Sequence, residues 1–305
     1  MNKIFAAFDL GGSFLKYGMG TSVSGIQYDS KIAVKSSEIE YLYSLFTLAF
    51  DDMKKHLSKE QYIAGACIGS PGTANAKTGR IEGINPNLPS WTGANPVKML
   101  HPIWGIPVYI DNDANLMAYG EYTAYKNQDS LLGITIGTGI GSGFVTKRGI
   151  FHGSTYAALE VGHTIVVKNG LLCNCGKKGC AEAYGSANSI VKNVIRKFPA
   201  LADSTIKDIL IAAKQNPDIK SELDRLLDYL AQAIANAVTI LNPAILVIGG
   251  GVVDIPAFPF SYLKERVLSS LLPDHKKKLF VEKARFGNKA ALLGGIYLAE
   301  KKSRS

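Results

Sequence analysis

The sequence predicts an α/β protein whose two lobes face each other across a cleft. Three observations support this fold class. A glycine-rich turn between two strand-like segments occurs early in the chain and again near its middle, which suggests an internal duplication. Two long segments have the apolar spacing of amphipathic helices. A third glycine-rich turn follows a late apolar strand, at the strand end where open α/β sheets bind ligands.

Length and composition fit two domains. The chain has 305 residues and is 47% hydrophobic, so it is too long for a typical single core. No apolar run reaches the ~18 residues that span a bilayer, and the first residues lead into a strand rather than a signal peptide. We therefore expect a cytoplasmic protein with no membrane partner.

The basic charge of the chain allows several partners. A formal net charge of +9 would suit a nucleic acid, an anionic cofactor or simply a basic surface. The densest basic clusters, residues 276–278 and 301–304, contain no interleaved aromatic residues. We therefore expect a basic surface and no nucleic-acid partner.

The first glycine turn lies between the strand-like segments Ile4–Phe8 and Phe14–Met19. Because a strand follows the glycines, this segment differs from Walker and dinucleotide-binding loops, which lead into a helix. Its backbone N–H groups could bind a phosphate, and Asp9 could hold a hydrated magnesium ion. A plain hairpin turn is the alternative for this segment taken alone.

The second glycine turn repeats this arrangement. An apolar strand at 131–136 leads into the glycine-rich residues 137–143, and a strand pattern resumes at 144–146. Two such turns in two halves of similar size could hold a phosphate from both sides. The repetition therefore favours phosphate binding over a plain hairpin at both turns.

The segment between these turns adds one helix, one strand and one irregular loop. Residues 38–57 have the spacing of an amphipathic helix. A buried strand then runs into a turn fixed by Pro71 and Gly72, where Ser70 could offer a hydroxyl group to a polar ligand. The Pro-rich loop 85–91 predicts exposed amides together with one aromatic residue, Trp91. It is either a surface loop or a sugar-binding edge.

Carboxylates and amides end the next strand, within the segment 108–115. Asp113 stands just before a helical segment and is predicted to be its N-cap. The helix N-terminus also lowers the pKa of a carboxyl group, so an ionised Asp113 could accept a proton from a hydroxyl group during phosphoryl transfer. Both interpretations can hold together.

Three of the four cysteines have the spacing of metal ligands. Cys173, Cys175 and Cys180 follow His163, which makes the ligand number of a closed tetrahedral site. The alternative is a set of unrelated buried cysteines, and the fourth, Cys67, lies in an apolar run typical of the core. A site with four protein ligands has no open position, so we expect a structural zinc ion. Its role would be to fix a loop flanked by two carboxylates, Glu160 and Glu182.

The last part of the chain predicts a helix, a strand and a closing helix. Residues 222–241 have the clearest helical spacing, and Asn242 with Pro243 ends that helix. The buried strand 244–248 leads into the third glycine turn. The apolar helix 290–299 is expected to pack on the first lobe.

These motifs together resemble the ROK family (repressors, open reading frames and sugar kinases), within the actin-like ATPase and hexokinase superfamily. The resemblance covers essentially the whole chain, and the cysteine motif is its most specific part. The matching segments are DLGGS at 9–13, GSPG at 69–72, NDAN at 112–115, GTGIG at 137–141, EVGH at 160–163, the cysteine motif at 173–186 and GGG at 249–251.

The resemblance implies two actin-like (ribonuclease H-like) lobes around an interlobe cleft, with the structural zinc loop in the larger lobe. The small lobe would comprise residues 1–114 joined by a C-terminal helix at 290–305, and the larger lobe residues 115–289. It further implies a homodimer and ATP-dependent phosphorylation of a hexose hydroxyl group, usually the 6-OH.

The same resemblance implies roles for individual residues. Asp113 would be the general base, and zinc would bind His163, Cys173, Cys175 and Cys180. The sugar would contact Ser70, Asn87, Asn112, Asp113, Glu160, His163 and Glu182. ATP and Mg²⁺ would be held at two glycine turns, by Asp9, Gly11, Gly12, Ser13, Lys16, Gly137, Thr138 and Gly139, and at the third turn by Gly249, Gly250 and Gly251.

The chain departs from the family pattern at three positions. Ser13 replaces a threonine and keeps its hydroxyl group. Tyr156 and Leu159 replace two glycines in the Gly-x-x-Gly-Glu pattern that precedes the sugar-binding glutamate. The loop 86–91 resembles that of glucokinase-like members, so glucose is the expected sugar. N-acetylmannosamine, fructose or a β-glucoside remain alternatives.

A sugar-sensing regulator without turnover is the rival hypothesis from another class. Family repressors carry a DNA-binding domain before the first glycine turn, and here eight residues precede Asp9. We therefore expect a kinase rather than a repressor.

Overall fold

The computed structural model describes residues 1–83, 85, 88–125 and 127–304. It shows a mixed α/β fold in which the chain forms two compact units. The first unit contains Met1–Ala124, Gly149–Ala158 and Lys289–Ser305, and the second contains Tyr125–Arg148 and Leu159–Asn288.

The strands are numbered in chain order. They are β1 Asn2–Leu10, β2 Phe14–Thr21, β3 Gly25–Ala33, β4 Gln61–Ser70, β5 Ala74–Asn75, β6 Arg80–Ile81, β7 Val108–Asn112, β8 Ser130–Ile136, β9 Ile140–Thr146, β10 Gly149–Ile150, β11 Ile245–Gly249 and β12 Phe280–Lys283.

The α-helices are numbered in the same way. They are α1 Ile39–Lys55, α2 Pro96–Trp104, α3 Asp113–Tyr122, α4 Glu182–Gly185, α5 Ala187–Lys197, α6 Ile206–Gln215, α7 Pro217–Leu241, α8 Phe260–Ser269, α9 Pro273–Lys276 and α10 Ala290–Lys302. Short 3₁₀ helices lie at Pro89–Trp91, Thr123–Tyr125, Val161–His163, Pro199–Leu201 and Gly287–Lys289.

The first unit is built on a sheet with the strand order β3-β2-β1-β4-β7. Strand β1 is antiparallel to β2 and parallel to β4, and β4 is parallel to β7. The carboxyl ends of the three parallel strands therefore meet at one edge. The register places Asp9 opposite Gly69 and Ser70 opposite Asn112 at this edge.

Aromatic packing dominates the core of the first unit. The Phe8 ring contacts Phe46 edge-on at 5.5 Å and stacks on Trp104 at 5.1 Å. Helix α10 packs on β1, β4 and α3, which confirms the prediction that the last helix returns to this part of the chain. A Cβ atom on Gly294 would lie 1.9 Å from the Leu116 carbonyl oxygen, so glycine permits the close approach of α10 and α3.

The second unit repeats this plan. Strands β8 and β9 form an antiparallel hairpin, β11 is parallel to β8, and β12 is parallel to β11. A hairpin followed by a parallel strand thus occurs in both units, as the internal duplication predicts. The predicted helix at 222–241 is α7, which begins five residues earlier at Pro217 with Asn216 as its cap.

The structure corrects the predicted exposure of the amides in the loop at 85–91, because Asn85 is buried. The aromatic residue of this loop, Trp91, is also fully buried. Its indole stacks on Phe46 at 5.7 Å, and its Nε1 donates a hydrogen bond to the Ser70 hydroxyl group at 2.8 Å. Because a buried indole N–H needs an acceptor, this contact fixes the aromatic ring in the core.

No helix within the described residues combines the length and the apolar composition that crossing a lipid bilayer requires.

Candidate functional site

The carboxyl end of β7 carries Asp111, Asn112 and Asp113 into helix α3. The structure corrects the predicted N-cap, which is Asn112 and not Asp113. The Asn112 side-chain oxygen accepts hydrogen bonds from the N–H groups of Ala114 and Asn115 at 2.9 and 3.1 Å, and its amide donates to the Gly72 carbonyl. Helix initiation is therefore supported without the carboxylate of the next residue.

Asp113 is the first residue of α3 and is half-buried. Its Oδ1 atom lies 2.8 Å from the backbone nitrogen of Ala114. A carboxylate in the first turn of a helix is stabilised in its ionised form by the helix dipole. An ionised carboxylate can accept a proton from a hydroxyl group within hydrogen-bond distance.

The buried Asp111 pairs with the half-buried His152, a contact that sequence reasoning missed. Asp111 is 1% exposed, and its Oδ2 lies 2.7 Å from His152 Nε2. Its Oδ1 accepts hydrogen bonds from the Asn112 backbone and the Asn115 side chain, both at 2.9 Å. A carboxylate that follows apolar strand residues needs such partners. The position of Asp111 in the sequence therefore indicates a buried carboxylate with hydrogen-bond partners.

The first glycine turn carries its own charge pair. Asp9 and Lys16 face each other across β1 and β2, and their ion pair spans 3.1 Å. The Gly11 N–H bonds to the Phe14 carbonyl at 2.9 Å and closes the turn, while Gly12 and Ser13 are exposed to solvent. Asp9 therefore lies beside an accessible turn at the edge where the parallel strands end.

Ser70 is a predicted sugar contact that lies at the end of β4 in the first unit. Ser70 is fully buried, and its hydroxyl group accepts from Trp91 and donates to the Pro71 carbonyl oxygen at 3.0 Å. Asn87 lies outside the described residues. The hydrogen bonds of Ser70 thus connect the end of β4 to the aromatic core.

The predicted metal ligands come together in the second unit. The ligand atoms of His163, Cys173, Cys175 and Cys180 all lie within 4.8 Å of one another. The sulfurs of Cys175 and Cys180 are 3.6 Å apart, and Cys173 Sγ is 3.7 Å from His163 Nδ1. A tetrahedral zinc ion with Zn–S bonds of about 2.3 Å separates its sulfur ligands by about 3.8 Å, so the cluster has the spacing of a four-ligand site.

The backbone around the cluster needs its glycines. Gly176 and Gly179 have φ values of 86° and 85°, in the left-handed region that favours glycine. A Cβ atom on Gly179 would lie 1.8 Å from the Val167 carbonyl oxygen. Burial also raises the pKa of the Cys173 thiol to about 12, so a thiolate there requires a nearby cation.

Glu182 connects the cysteine motif to the second glycine turn. Its Oε2 accepts a hydrogen bond from the Ile140 N–H at 2.9 Å, and its Oε1 is 3.9 Å from Cys173 Sγ. A Cβ atom on Gly139 would lie 2.7 Å from the same Oε2. Glycine at this position therefore lets the carboxylate approach the turn.

Glu160 is an exposed residue, but the protein around it still desolvates its carboxyl group and raises the pKa. The His163 imidazole opposes this rise, and the Glu182 carboxylate adds to it. The Glu182 carboxylate, on the other side of the cysteine motif, thus contributes to the raised pKa of Glu160.

The second and third glycine turns are neighbours within the second unit. The Gly137 N–H bonds to the Gly139 carbonyl at 2.9 Å, and the Gly137 carbonyl accepts from Ala187 at 2.8 Å. Gly250 has a φ of 99°, and a Cβ atom there would lie 2.4 Å from the Ile136 carbonyl oxygen. The third turn therefore packs directly on the end of β8. Thr138 and Gly251 are exposed, whereas Gly249 is buried.

The structure thus brings the predicted residues together in two groups. In the first unit, the strand-end group contains Asp9, Ser70, Asn112 and Asp113. In the second unit, the metal-ligand cluster, Glu182 and the second and third glycine turns lie in one connected region.

Comparison with known proteins identifies the family of this arrangement. The model of the ROK family matches residues 5–302. The chain belongs to the ROK family. It is 32% identical over 252 residues to a glucokinase of Thermotoga maritima, which covers 77% of this chain and 78% of the relative. It is 30% identical over 325 residues to a glucokinase of Halalkalibacterium halodurans, with 100% and 97% of the two chains covered.

A solved structure of the same family is similar over the whole chain. The ROK family glucokinase of Streptomyces griseus in complex with glucose and AMPPNP has a TM-score of 0.83 and 26% sequence identity. The match covers 98% of this chain and 99% of that protein. This similarity confirms the predicted family and fold class.

Proposed function

We propose that this protein transfers the γ-phosphoryl group of ATP to a hydroxyl group of a hexose, with Asp113 as the general base. The observation that carries this proposal is that the helix cap and the carboxylate at the start of α3 belong to two different residues. Asn112 caps the helix, so Asp113 is not required for the cap and can serve the reaction. Membership of a family that includes glucokinases supports the same conclusion.

In the proposed reaction, the sugar hydroxyl group donates a hydrogen bond to the Asp113 carboxylate. As the hydroxyl oxygen bonds to the γ-phosphorus, its proton moves to Asp113 and the bond between the γ-phosphorus and the ADP oxygen breaks. The product is a sugar phosphate, with ADP as the leaving group.

The glycine turns would hold the nucleotide. The exposed N–H-bearing residues Gly12, Ser13 and Thr138 suit phosphate oxygens, and the third turn at Gly249–Gly251 would contact the adenosine. Asp9 would hold Mg²⁺ through its water shell, and that ion would supply positive charge to the phosphates. Lys16, paired with Asp9, would add a second positive charge near the same turn.

We propose that Asn112, Glu160, His163 and Glu182 bind the hydroxyl groups of the sugar. The Nδ1 atom of His163 faces Cys173, so the role of this ring as a zinc ligand would be served by Nδ1 and a sugar contact by Nε2. The spacing of the four ligand atoms and the need of the buried thiolates for a cation support zinc as the occupant. Zinc would hold the loop that carries His163 and Glu182.

Glucose is the proposed sugar because the two relatives described above are glucokinases. A coupled assay of ADP release tests this with glucose, N-acetylmannosamine, fructose and a β-glucoside. We expect the highest kcat/KM with glucose. If no sugar is phosphorylated above the background ATPase rate, the kinase proposal is contradicted. If a sugar raises the melting temperature but is not phosphorylated, the result favours a regulator.

Asp113→Asn tests the general base. We expect kcat for the best sugar to fall by about 10²–10⁴-fold, while the melting temperature and its rise with sugar stay near those of the wild type, because Asn112 provides the cap. Asp274→Asn is the matched control, since that carboxylate is 88% exposed on α9. Full activity of Asp113→Asn would rule out the assigned role.

A further inference from the structure

Two bulky residues adopt a backbone conformation that favours glycine. Tyr156 has a φ of 60° and Leu159 a φ of 64°, in the left-handed region where a Cβ atom crowds the following carbonyl group. These are the two positions at which the sequence departs from the glycines of the family pattern. Side chains kept at strained positions need a reason in packing or in function.

Packing accounts for Leu159. Its side chain lies against the hydrophobic core of the second unit. Its carbonyl oxygen accepts hydrogen bonds from the Ser142 hydroxyl group and from the Val161 N–H at 2.8 Å. Buried apolar contacts and a fixed carbonyl group thus hold this residue in its left-handed conformation.

Tyr156 has a different environment. Among the described residues, it is part of neither hydrophobic core cluster. Its ring is half-buried and contacts the His152 ring at 5.2 Å with an angle of 47°. Core packing therefore does not explain the side chain at this position.

His152 fixes the loop that carries Tyr156 to the end of β7. Its Nε2 lies 2.7 Å from Asp111 Oδ2, within hydrogen-bond distance of that carboxyl group. The loop is closed by a hydrogen bond of 3.2 Å from the Ala158 N–H to the His152 carbonyl. Tyr156 is thus linked to Asp111, two positions before Asp113, through its ring contact with His152.

We propose that Tyr156 is a specificity-determining residue whose ring contacts the pyranose ring of an aldohexose substrate, and that His152 is the residue that positions it. This inference rests on the proposed kinase function. Tyrosine combines a flat apolar ring with a polar hydroxyl group, and this combination suits the C–H face of a sugar ring with its surrounding hydroxyl groups. The contact would favour aldohexoses in the pyranose form over fructose.

Five single variants of Tyr156 and His152, and one double variant, test this proposal in the coupled assay with glucose, N-acetylmannosamine and fructose. We expect Tyr156→Ala to raise the KM for the preferred aldohexose about tenfold, to narrow its kcat/KM advantage over fructose by a similar factor, and to leave the KM for ATP unchanged. Tyr156→Phe should retain most of the preference. Equal sugar preferences in the wild type, Tyr156→Ala and Tyr156→Phe would overturn the proposal while the kinase function stands.

Tyr156→Gly separates the ring contact from the backbone strain. Glycine and alanine both remove the ring, but only glycine relieves the left-handed conformation. A ring contact predicts the same change of sugar preference in both variants, with a higher melting temperature for Tyr156→Gly. A change of preference in Tyr156→Gly alone would show that the loop conformation matters and the ring does not.

His152→Ala tests the positioning role. We expect it to raise the sugar KM as Tyr156→Ala does. The double variant with both alanines should have a sugar KM no higher than that of either single variant. His152→Gln keeps a donor for Asp111 and should restore much of the preference. Additive effects would contradict the proposal.

If the wild type turns over no sugar, the rise in melting temperature with each sugar replaces turnover as the readout. A rise that is the same in the wild type and in Tyr156→Ala would then overturn the ring contact.

Discussion

The first and second glycine turns are similar in sequence but are anchored by different parts of the chain. In the first turn, Asp9 stands on β1 and pairs with Lys16 on the adjacent strand. In the second turn, the hairpin position that corresponds to Asp9 is occupied by Thr135. The carboxylate there comes from Glu182, which follows the cysteine motif and bonds to the Ile140 N–H.

This difference shows that two similar hairpins can depend on different parts of the chain to fix their charged groups. The charged groups of the first turn lie on the hairpin itself, so they are fixed by strand pairing. The carboxylate of the second turn is placed by a distant segment that also contains Cys173 and Cys180. Disruption of the metal-ligand cluster should therefore reach the second turn and leave the first turn largely intact.

Removal of the metal should give the largest effect. We expect one zinc ion per chain. If the concentration of free zinc is about 1,000 times its Kd, chelation should lower the free energy of unfolding by about 4 kcal/mol. Cys175→Ser should lower the zinc content and the melting temperature in the same direction. Elemental analysis and thermal unfolding provide the measurements.

Hydrogen exchange connects this result to the two turns. After chelation, the Ile140 N–H should exchange faster, because its acceptor Glu182 follows the cluster, while the Gly11 N–H should change little. Asn174→Ser is the matched control, since Asn174 is exposed between two ligands without being one of them. A metal-free protein with unchanged stability and exchange would refute the dependence of the second turn on the cluster.

Substitution of the glycines in the second turn should give an intermediate effect. Gly139→Ala would place a Cβ atom 2.7 Å from Glu182 Oε2, so the carboxylate must move and its hydrogen bond to Ile140 is weakened. We expect a loss of about 1–3 kcal/mol and a clear fall in kcat/KM. Urea unfolding and the coupled assay are the measurements.

Gly137→Ala is the control for this substitution. A Cβ atom on Gly137 would meet nothing within 4 Å, and its φ lies outside the left-handed region. We expect only a small change in stability. Equal destabilisation by both alanines would show that backbone freedom, and not the approach of Glu182, determines the need for glycine in this turn.

The local elements of both turns were predictable from the sequence, and their anchoring was not. Strands β1, β2, β8 and β9 follow from apolar runs interrupted by glycine, and the Cys and His spacing predicted a cluster that the structure forms. The bond from Glu182 to Ile140 joins residues 42 positions apart. No local pattern encodes such a contact, because it depends on how the elements pack.

The start of α3 illustrates the same limit at short range. Asn112 and Asp113 are adjacent, and both residue types are good N-caps. The structure selects Asn112 because it ends β7 in an extended conformation, with a ψ of 144°, while Asp113 is already helical. The pair of His152 and Asp111 and the left-handed φ of Tyr156 likewise depend on tertiary placement, so the sequence could mark these residues as unusual without explaining them.

The charge pair of the first turn should give the smallest effect on stability. Lys16 is 34% exposed and Asp9 13% exposed, and ion pairs with such access to water contribute at most about 1 kcal/mol. Lys16→Met should therefore change the free energy of unfolding by less than that amount, and leave metal content and Ile140 exchange unchanged. Under the proposed function, it should raise the KM for ATP several-fold because a positive charge near the phosphates is lost.

Lys3→Met, on the exposed start of β1, is the control for Lys16→Met. A large loss of stability in Lys16→Met would show that the first turn also depends on a tertiary anchor, and the contrast between the two turns would fail.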